Sequence, residues 1–415
     1  MTPDHATQFR DAPPRETPPR ETPPRHEPPR HEPPRGWPAP TSAYLHVPFC
    51  RHRCGYCNFS VIAGRDDLAE DFLRAIEIEL QLAASDSAPA PPLKTLFLGG
   101  GTPTHLSLAQ LDRLLDTIDR WLPRAPDAET SVEANPEDID DEKLRLLSRR
   151  GVNRISLGVQ SFNEGKLRVL QRTHTGESAA RAIEQCAKQI GNVSIDLIFA
   201  APEESRAAWQ ADLRTALQLP ITHLSTYALT FEKGTSFWSE RLRGRLDGAG
   251  EEDELAMYLD AIEQASDGGL GHYEISSFAK AGFRCRHNLA YWQGHGWSAF
   301  GPGAARFVRG VREVNHRSTT TYLRKVLSGQ SPVAESEPLT LLQYASERAA
   351  FGIRMIDGVD LATIHEESGI DIETVRRDAI EMCRRHGWLD QYGTHYRLTP
   401  QGILMADSVA SSFLG

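Results

Sequence analysis

Residues 43–59 read Ala43-Tyr44-Leu45-His46-Val47-Pro48-Phe49-Cys50-Arg51-His52-Arg53-Cys54-Gly55-Tyr56-Cys57-Asn58-Phe59. The run Ala43–Val47 has the apolar, partly β-branched character of a short buried strand. The cysteines that follow are spaced C-x3-C-x2-C, and they are three of only six in 415 residues. In a reducing compartment such a group binds metal more readily than it forms disulfides. Three thiolates can ligate three irons of a cubane [4Fe–4S] cluster and leave the fourth iron without a protein ligand. Zinc is the rival. It usually takes four protein ligands, often as paired C-x2-C units. His52 would have to be the fourth here, although it sits between two of the cysteines in a tight loop. Free thiols are the remaining alternative.

Downstream, further short runs repeat the pattern of the first: Thr95–Leu98, Ser131–Glu133, Arg154–Val159, Val193–Phe199 and His223–Leu229. Amphipathic stretches lie between them at Leu68–Leu82, Leu108–Trp121, Asp141–Arg150, Ser178–Gln189 and Arg206–Leu217. Strand–helix alternation at this spacing predicts parallel strands joined by crossover helices. The expected fold is α/β, a partial (β/α)6 barrel over residues 41–334. Chemistry in such barrels sits at the C-terminal ends of the strands. Both the cysteines and Gly99-Gly100-Gly101-Thr102-Pro103 follow strand runs and fall on that face.

Near residue 335 the alternation stops. Leu339–Arg354, Leu361–Ser368 and Ile372–His386 have helical periodicity, and Trp388–Leu398 has that of a short hairpin. Residues 335–415 are therefore expected to form a small, mainly helical, winged-helix-like domain. Its acidic residues favour a substrate lid or docking module over DNA binding. Residues 1–40 carry Pro-Pro-Arg at five-residue intervals. Proline removes backbone donors and almost nothing there is apolar, so a disordered, partly polyproline II tail is expected.

The chain holds 46 Lys+Arg against 56 Asp+Glu, a net charge of −10. That balance argues against sequence-independent nucleic-acid binding, which needs clustered cations. No apolar stretch is long enough to span a bilayer, and no secretory signal begins the chain, so a cytoplasmic protein is expected.

The C-x3-C-x2-C spacing, with an aromatic residue directly before the third cysteine and a glycine motif after the second strand, resembles the radical S-adenosylmethionine (SAM) superfamily. A closer resemblance rests on Ala43–Cys50, Arg154–Phe162, Ile195–Phe199 and His272–Phe278. These are similar to the HemN/HemW family, which comprises oxygen-independent coproporphyrinogen III dehydrogenases and HemW-type heme chaperones. The resemblance implies Cys50, Cys54 and Cys57 on a [4Fe–4S] cluster with SAM on its open iron. It further implies Tyr44 at the methionyl end, Tyr56 near the adenine, and Gly100, Gly101 and Thr102 at the amino and carboxylate groups. Glu133, Gln160, Arg172 and Asp196 would surround the ribose and carboxylate, with Ala228 and Ala305 packing nearby. Carboxylates suit ribose hydroxyls, and a guanidinium matches a carboxylate. Read singly, Glu133 and Asp196 would serve equally as helix caps or ion-pair partners.

Two features divide the relatives. Dehydrogenases of the family add another cysteine after the third, at C-x3-C-x2-C-x-C, whereas here Asn58-Phe59 follows. His287-Asn288-Leu289-Ala290-Tyr291-Trp292 fits the H-N-x-x-Y-W pattern that the family associates with heme, which implies His287 as a heme ligand. A packed, hydrogen-bonded His287 is the alternative, and Cys285 is a further ligand candidate. Cys186 and Cys383 read as inert thiols, and His46, His105 and His174 as packing residues. Where relatives carry G-x-G-A-H-S, this chain has Gly301-Pro302-Gly303-Ala304-Ala305-Arg306, which removes the side chains of that site. The resemblance thus implies a heme chaperone, with heme as cargo and a heme-recipient protein as partner. An electron donor and a homodimer remain open, as does an enzymatic alternative, radical decarboxylation of coproporphyrinogen III propionates.

Overall fold

The computed structural model describes residues 37, 39–85 and 91–415. The tail expected over residues 1–40 lies outside the described residues except for Trp37, Ala39 and Pro40. Twelve strands form the main sheet and are numbered here in chain order. β1 (Ser42–Val47), β2 (Leu93–Gly100), β3 (Arg124–Ala134), β4 (Arg154–Gln160), β5 (Val193–Phe199) and β6 (His223–Ala228) run parallel and pair in sequence. β7 (Gly271–Glu274) and β8 (Ser277–Ala279) extend the sheet beyond β6 in antiparallel sense. β9 (Trp297–Phe300), β10 (Ala305–Val308), β11 (Val311–Asn315) and β12 (Val333–Pro338) extend it beyond β1. The order is β12-β11-β10-β9-β1-β2-β3-β4-β5-β6-β8-β7. The two edges are not paired with each other, so the barrel is partial.

The strand–helix units fall where the sequence pattern puts them. Helices occupy Ala69–Ser85, Leu108–Trp121, Asp141–Arg149, Gly176–Gln189 and Arg206–Gln218. Local chemistry starts them: Ser107 and Gln110 make a reciprocal capping box, and Thr175 and Ser178 do the same one helix pair later. One parallel strand was not anticipated. β9 pairs with β1 on the side opposite β2, making a parallel run of seven strands from β9 to β6.

Strand side chains alternate between the two faces of the sheet. Leu45, Leu96, Leu98, Val132, Ile155, Leu157, Ile195 and Leu224 are completely buried in one core with Leu111, Leu114 and Ile118 of the helices. The other face carries Glu129, Ser131 and Glu133 of β3, Arg154 and Ser156 of β4, Ser194 and Asp196 of β5, and His223 and Ser225 of β6. The barrel interior is therefore polar. Its N-terminal end is plugged by the helix Arg286–Trp292, whose first two N–H groups donate to the Glu129 carboxylate.

Beyond β12 the chain forms the helices Leu341–Gly352, Leu361–Ser368, Ile372–Val375, Arg377–Arg385 and Ala406–Leu414. Leu389–Tyr392 and His395–Leu398 make an antiparallel hairpin, joined at its second strand by Val359–Asp360. This module has its own core, including Ala349, Ile353, Ile364, Ile372, Cys383 and Phe413. Among the described residues no helix is long and apolar enough to cross a membrane.

Candidate functional site

A cavity of about 1250 Å³ opens at the C-terminal ends of β2 to β6. Cys50, Cys54, Cys57, Tyr56, Gly100, Gly101, Thr102, Glu133, Gln160, Arg172, Asp196 and Ala228 all line it. Twelve of the fifteen site residues expected from sequence thus line one cavity, although the first and last of them, Cys50 and Ala228, lie 178 positions apart. Its roof comes from the C-terminal module, including Trp388, Ile403, Leu404 and Met405.

The glycine turn lies hard against the cysteine loop. Gly101 N–H donates to the Val47 carbonyl and Thr102 N–H to that of Phe49, both at 2.8 Å. A Cβ on Gly101 would stand 2.6 Å from the Phe49 oxygen. At Gly100, where φ is +104°, a Cβ would meet the His46 ring at 2.3 Å. Only glycine permits both the close approach and the positive φ.

Two of the cysteine sulfurs meet polar partners from two other segments and from the cysteine loop itself. Cys50 Sγ is 3.6 Å from Thr102 Oγ1, and Cys54 Sγ is 3.6 Å from both Arg172 Nη1 and His52 Nε2. The Arg172 guanidinium also donates to Asn135 Oδ1 at 2.5 Å and to the Gly158 carbonyl at 2.7 Å. Asn135 Nδ2 in turn donates to Thr102 Oγ1 at 2.7 Å. Asn135 therefore orients two lining residues. It was missed in the sequence because one asparagine at a strand end gives no motif. No three His, Cys, Asp or Glu side chains among the described residues converge to hold a single ion. Three sulfurs set apart on one wall, with a guanidinium beside them, suit three corners of a polynuclear cluster with anionic thiolate ligands.

Deeper in the cavity, Gly100 N–H donates to Glu133 Oε2 at 2.8 Å. Burial pushes the Glu133 carboxyl up to about 7, with Asp196 adding to the rise. Burial likewise raises Asp196 to about 6, against the opposing pull of Ser225, Arg154 and Arg172. Two acceptors of hydroxyl groups are thereby held on β3 and β5, with β4 between them. Arg154 was also missed. It is 2% exposed at the first position of β4, on the same face of the strand as Ser156, and its charge acts on both carboxyls.

Three expected residues do not line the cavity. Tyr44 donates its hydroxyl to His46 Nδ1 at 3.1 Å, while His46 Nε2 bonds the Ser60 carbonyl at 2.9 Å. Ala305 begins β10, exposed, its carbonyl accepting from Trp297 Nε1. The loop before it braces the cysteine loop from behind: a Cβ on Gly303 would stand 2.3 Å from Ser60 Oγ. Buried Glu79 fixes that loop by accepting from Gly301 N–H, Asn315 Nδ2 and Tyr322 Oη.

His287 lies at the far end of the barrel from the cysteines, 1% exposed. Its Nδ1 is 2.9 Å from Thr95 Oγ1, its Nε2 is 2.8 Å from Tyr291 Oη, and its ring stacks on Phe97. Burial, with Arg154 nearby, lowers its pKa to about 3, so the ring is neutral. Both ring nitrogens are thus hydrogen-bonded within the fold. Cys285 is fully buried against Glu129 and Tyr273.

The profile of the Radical SAM superfamily matches residues 44–216, and that of the HemN C-terminal domain matches residues 339–405. The chain is 35% identical to the heme chaperone HemW of Bacillus subtilis, over 90% of this chain and 99% of that protein. It is 36% identical to the heme chaperone HemW of Mycobacterium tuberculosis, over 91% and 95% of the respective chains. For the HemW of Escherichia coli the identity is 32%, over 90% and 98%. Among solved structures, coproporphyrinogen III oxidase (HemN) of Escherichia coli superposes with a TM-score of 0.80. It covers 91% of this chain and 90% of its own at 21% identity, a likeness of fold.

Proposed function

Because this chain belongs to the HemW family of radical SAM heme chaperones, we propose that it carries a [4Fe–4S] cluster on Cys50, Cys54 and Cys57, binds SAM beside it, and holds heme for delivery to a recipient protein. The observation that carries this reading is the single cavity wall shared by the three cysteines, the glycine turn and the polar residues Glu133, Gln160, Arg172 and Asp196. When bound, the cluster would supply one iron open to the amino and carboxylate groups of SAM, and an electron for cleaving its sulfonium.

The chain's own residues do the rest. Gly100 and Gly101 keep the wall free of side chains beside the cysteine loop. Arg172, held by Asn135 and the Gly158 carbonyl, presents a fixed positive charge beside Cys54 and a donor for a ligand carboxylate. Glu133 and Asp196 accept hydrogen bonds from hydroxyls such as those of a ribose. Trp388, Ile403, Leu404 and Met405 of the roof offer apolar surface to a bound ligand.

Asn58-Phe59, where a dehydrogenase would place another cysteine, favours heme handling over propionate decarboxylation. Heme ligation by His287 would require the floor helix to open. An electron donor would be needed only if SAM is cleaved.

The test is anaerobic reconstitution with iron and sulfide, followed by heme loading and mixing with an apo-cytochrome. Wild type should gain iron–sulfur absorption that Cys54→Ala lacks, and should pass heme to the acceptor. Conversion of coproporphyrinogen III to protoporphyrinogen with SAM and reductant would overturn the chaperone reading.

A further inference from the structure

Two strand ends beside the cavity leave their strands through left-handed backbone at residues other than glycine. Gln160, the last residue of β4, has φ +66°, and Ala200, directly after β5, has φ +58°. Side chains other than glycine rarely adopt this region, and they persist there only where the surroundings over-determine it.

The surroundings here are a buried ionic cluster. Lys166 lies in the helix Glu164–Val169, Glu204 in the loop after β5, and Asp212 in the helix Arg206–Gln218. Their side chains are 5%, 1% and 3% exposed. Lys166 Nζ is 2.5 Å from Glu204 Oε1 and 3.2 Å from Asp212 Oδ2, and lies over the fully buried Trp209 ring. Each carboxylate also grips one of the two turns. Asp212 accepts from the Ser161 hydroxyl at 2.5 Å and from Phe162 N–H at 2.8 Å, the two residues after Gln160. Glu204 Oε2 accepts from Ala201 N–H at 3.0 Å, directly after Ala200.

We propose that Lys166 is a positioning residue for ligand binding: through Asp212 and Glu204 it locks the two turns together and so fixes the Gln160 side chain in the cavity. One ammonium lies between two buried carboxylates and offsets one of their two charges. That same cation is what makes the β4 and β5 turns one rigid unit rather than two. Without the ammonium, two acids would face each other in a dry site. Glu204, whose carboxyl burial already pushes up, would take a proton, its grip on Ala201 would loosen, and Asp212 would hold Ser161 and Phe162 with no tie to the second turn. Lys166 does not line the cavity, and the lining residue next to the turn that Asp212 holds is Gln160.

The proposal rests on the reading that the cavity binds SAM with Gln160 among its contacts. Its test is a double-mutant cycle on the reconstituted full chain, with SAM affinity measured by anaerobic calorimetry for wild type, Lys166→Met, Gln160→Ala and the double variant. Lys166→Met should weaken SAM binding on the order of tenfold, within the coupling seen between contacting residues. In the Gln160→Ala background the same substitution should cost nothing further, while its loss of thermal stability persists. Ser161→Ala removes only one hydroxyl of the relay. It should show the same coupling in smaller measure, and it serves if Lys166→Met fails to fold. Unchanged affinity in Lys166→Met, losses that multiply in the double variant, or an unaffected Gln160→Ala would each overturn the proposal. Failure of wild type to bind SAM would instead sink the reading on which it rests.

Discussion

Replacing Glu133 with glutamine should stabilise the ligand-free protein at alkaline pH and leave it unchanged in acid. The carboxyl is held beneath Gly100 and beside Asp196, and burial carries it from an ordinary 4.5 to about 7. Below pH 4.5 both folded and unfolded chains keep the proton, and the site carries no charge penalty. Between 4.5 and 7 the unfolded chain releases it while the folded one retains it, so stability falls as pH rises. Above 7 both forms are ionised and the penalty is complete. At 1.36 kcal/mol for each tenfold in proton affinity, the penalty is at most about 3.4 kcal/mol. Water in the cavity screens part of it, so about 2 kcal/mol is the working figure. Glutamine has nearly the same shape and still accepts from Gly100 N–H. Urea unfolding of wild type and Glu133→Gln at pH 4.5 and pH 8 measures the difference. Equal stabilities at the lower pH and a gain of about 2 kcal/mol at the higher are expected. A variant less stable than wild type at pH 8 would refute the reasoning, because it would mean that the ionised carboxylate is a net stabiliser.

Gly101→Ala forces a methyl group to 2.6 Å from the Phe49 carbonyl. It should cost about 1–3 kcal/mol in denaturant unfolding, and SAM affinity should fall with it. Glu79→Ala would strand three donors, Gly301 N–H, Asn315 Nδ2 and Tyr322 Oη, in a dry site. A loss of about 3–5 kcal/mol is expected by thermal or urea melts, together with poorer retention of iron and sulfide, since this loop backs the cysteine loop. His287→Ala should cost about 2–4 kcal/mol by loss of two hydrogen bonds and the Phe97 stack. The Soret band of the heme-loaded variant should match that of wild type; a displaced band would show that the floor helix opens to ligate heme.

Much of the frame was legible from periodicity. Val193–Phe199 and Leu108–Trp121 have the boundaries that their patterns predict, because both are runs with one consistent period. β9 was not legible. Trp297-Ser298-Ala299-Phe300 is four residues between glycine-rich stretches, too short to show alternation. The lining residues could be read because they sit in short motifs at strand ends, where topology brings them together. Arg154, Asn135 and the Lys166 cluster could not. Their partners lie tens of residues away, and a single polar residue in an apolar run carries no mark of what it will meet. His287 is the opposite case. Its motif is distinctive, yet the structure commits both ring nitrogens to neighbours that the motif only half contains: Tyr291 is in it, Thr95 is not.

The cavity roof has a consequence for how the protein is made. Leu404 and Met405 emerge from the ribosome about 350 residues after Cys57, and β9, the second neighbour of β1, about 240 residues after it. At about 5–20 residues per second, the nascent chain exposes its cysteines on the order of 20–70 s before a lid exists to cover them. A bulky inorganic group destined for those cysteines can therefore be installed during translation before the C-terminal module narrows the approach, whereas a finished chain that has lost it must take it up past that module. Reloading purified protein should accordingly be slower than loading during synthesis.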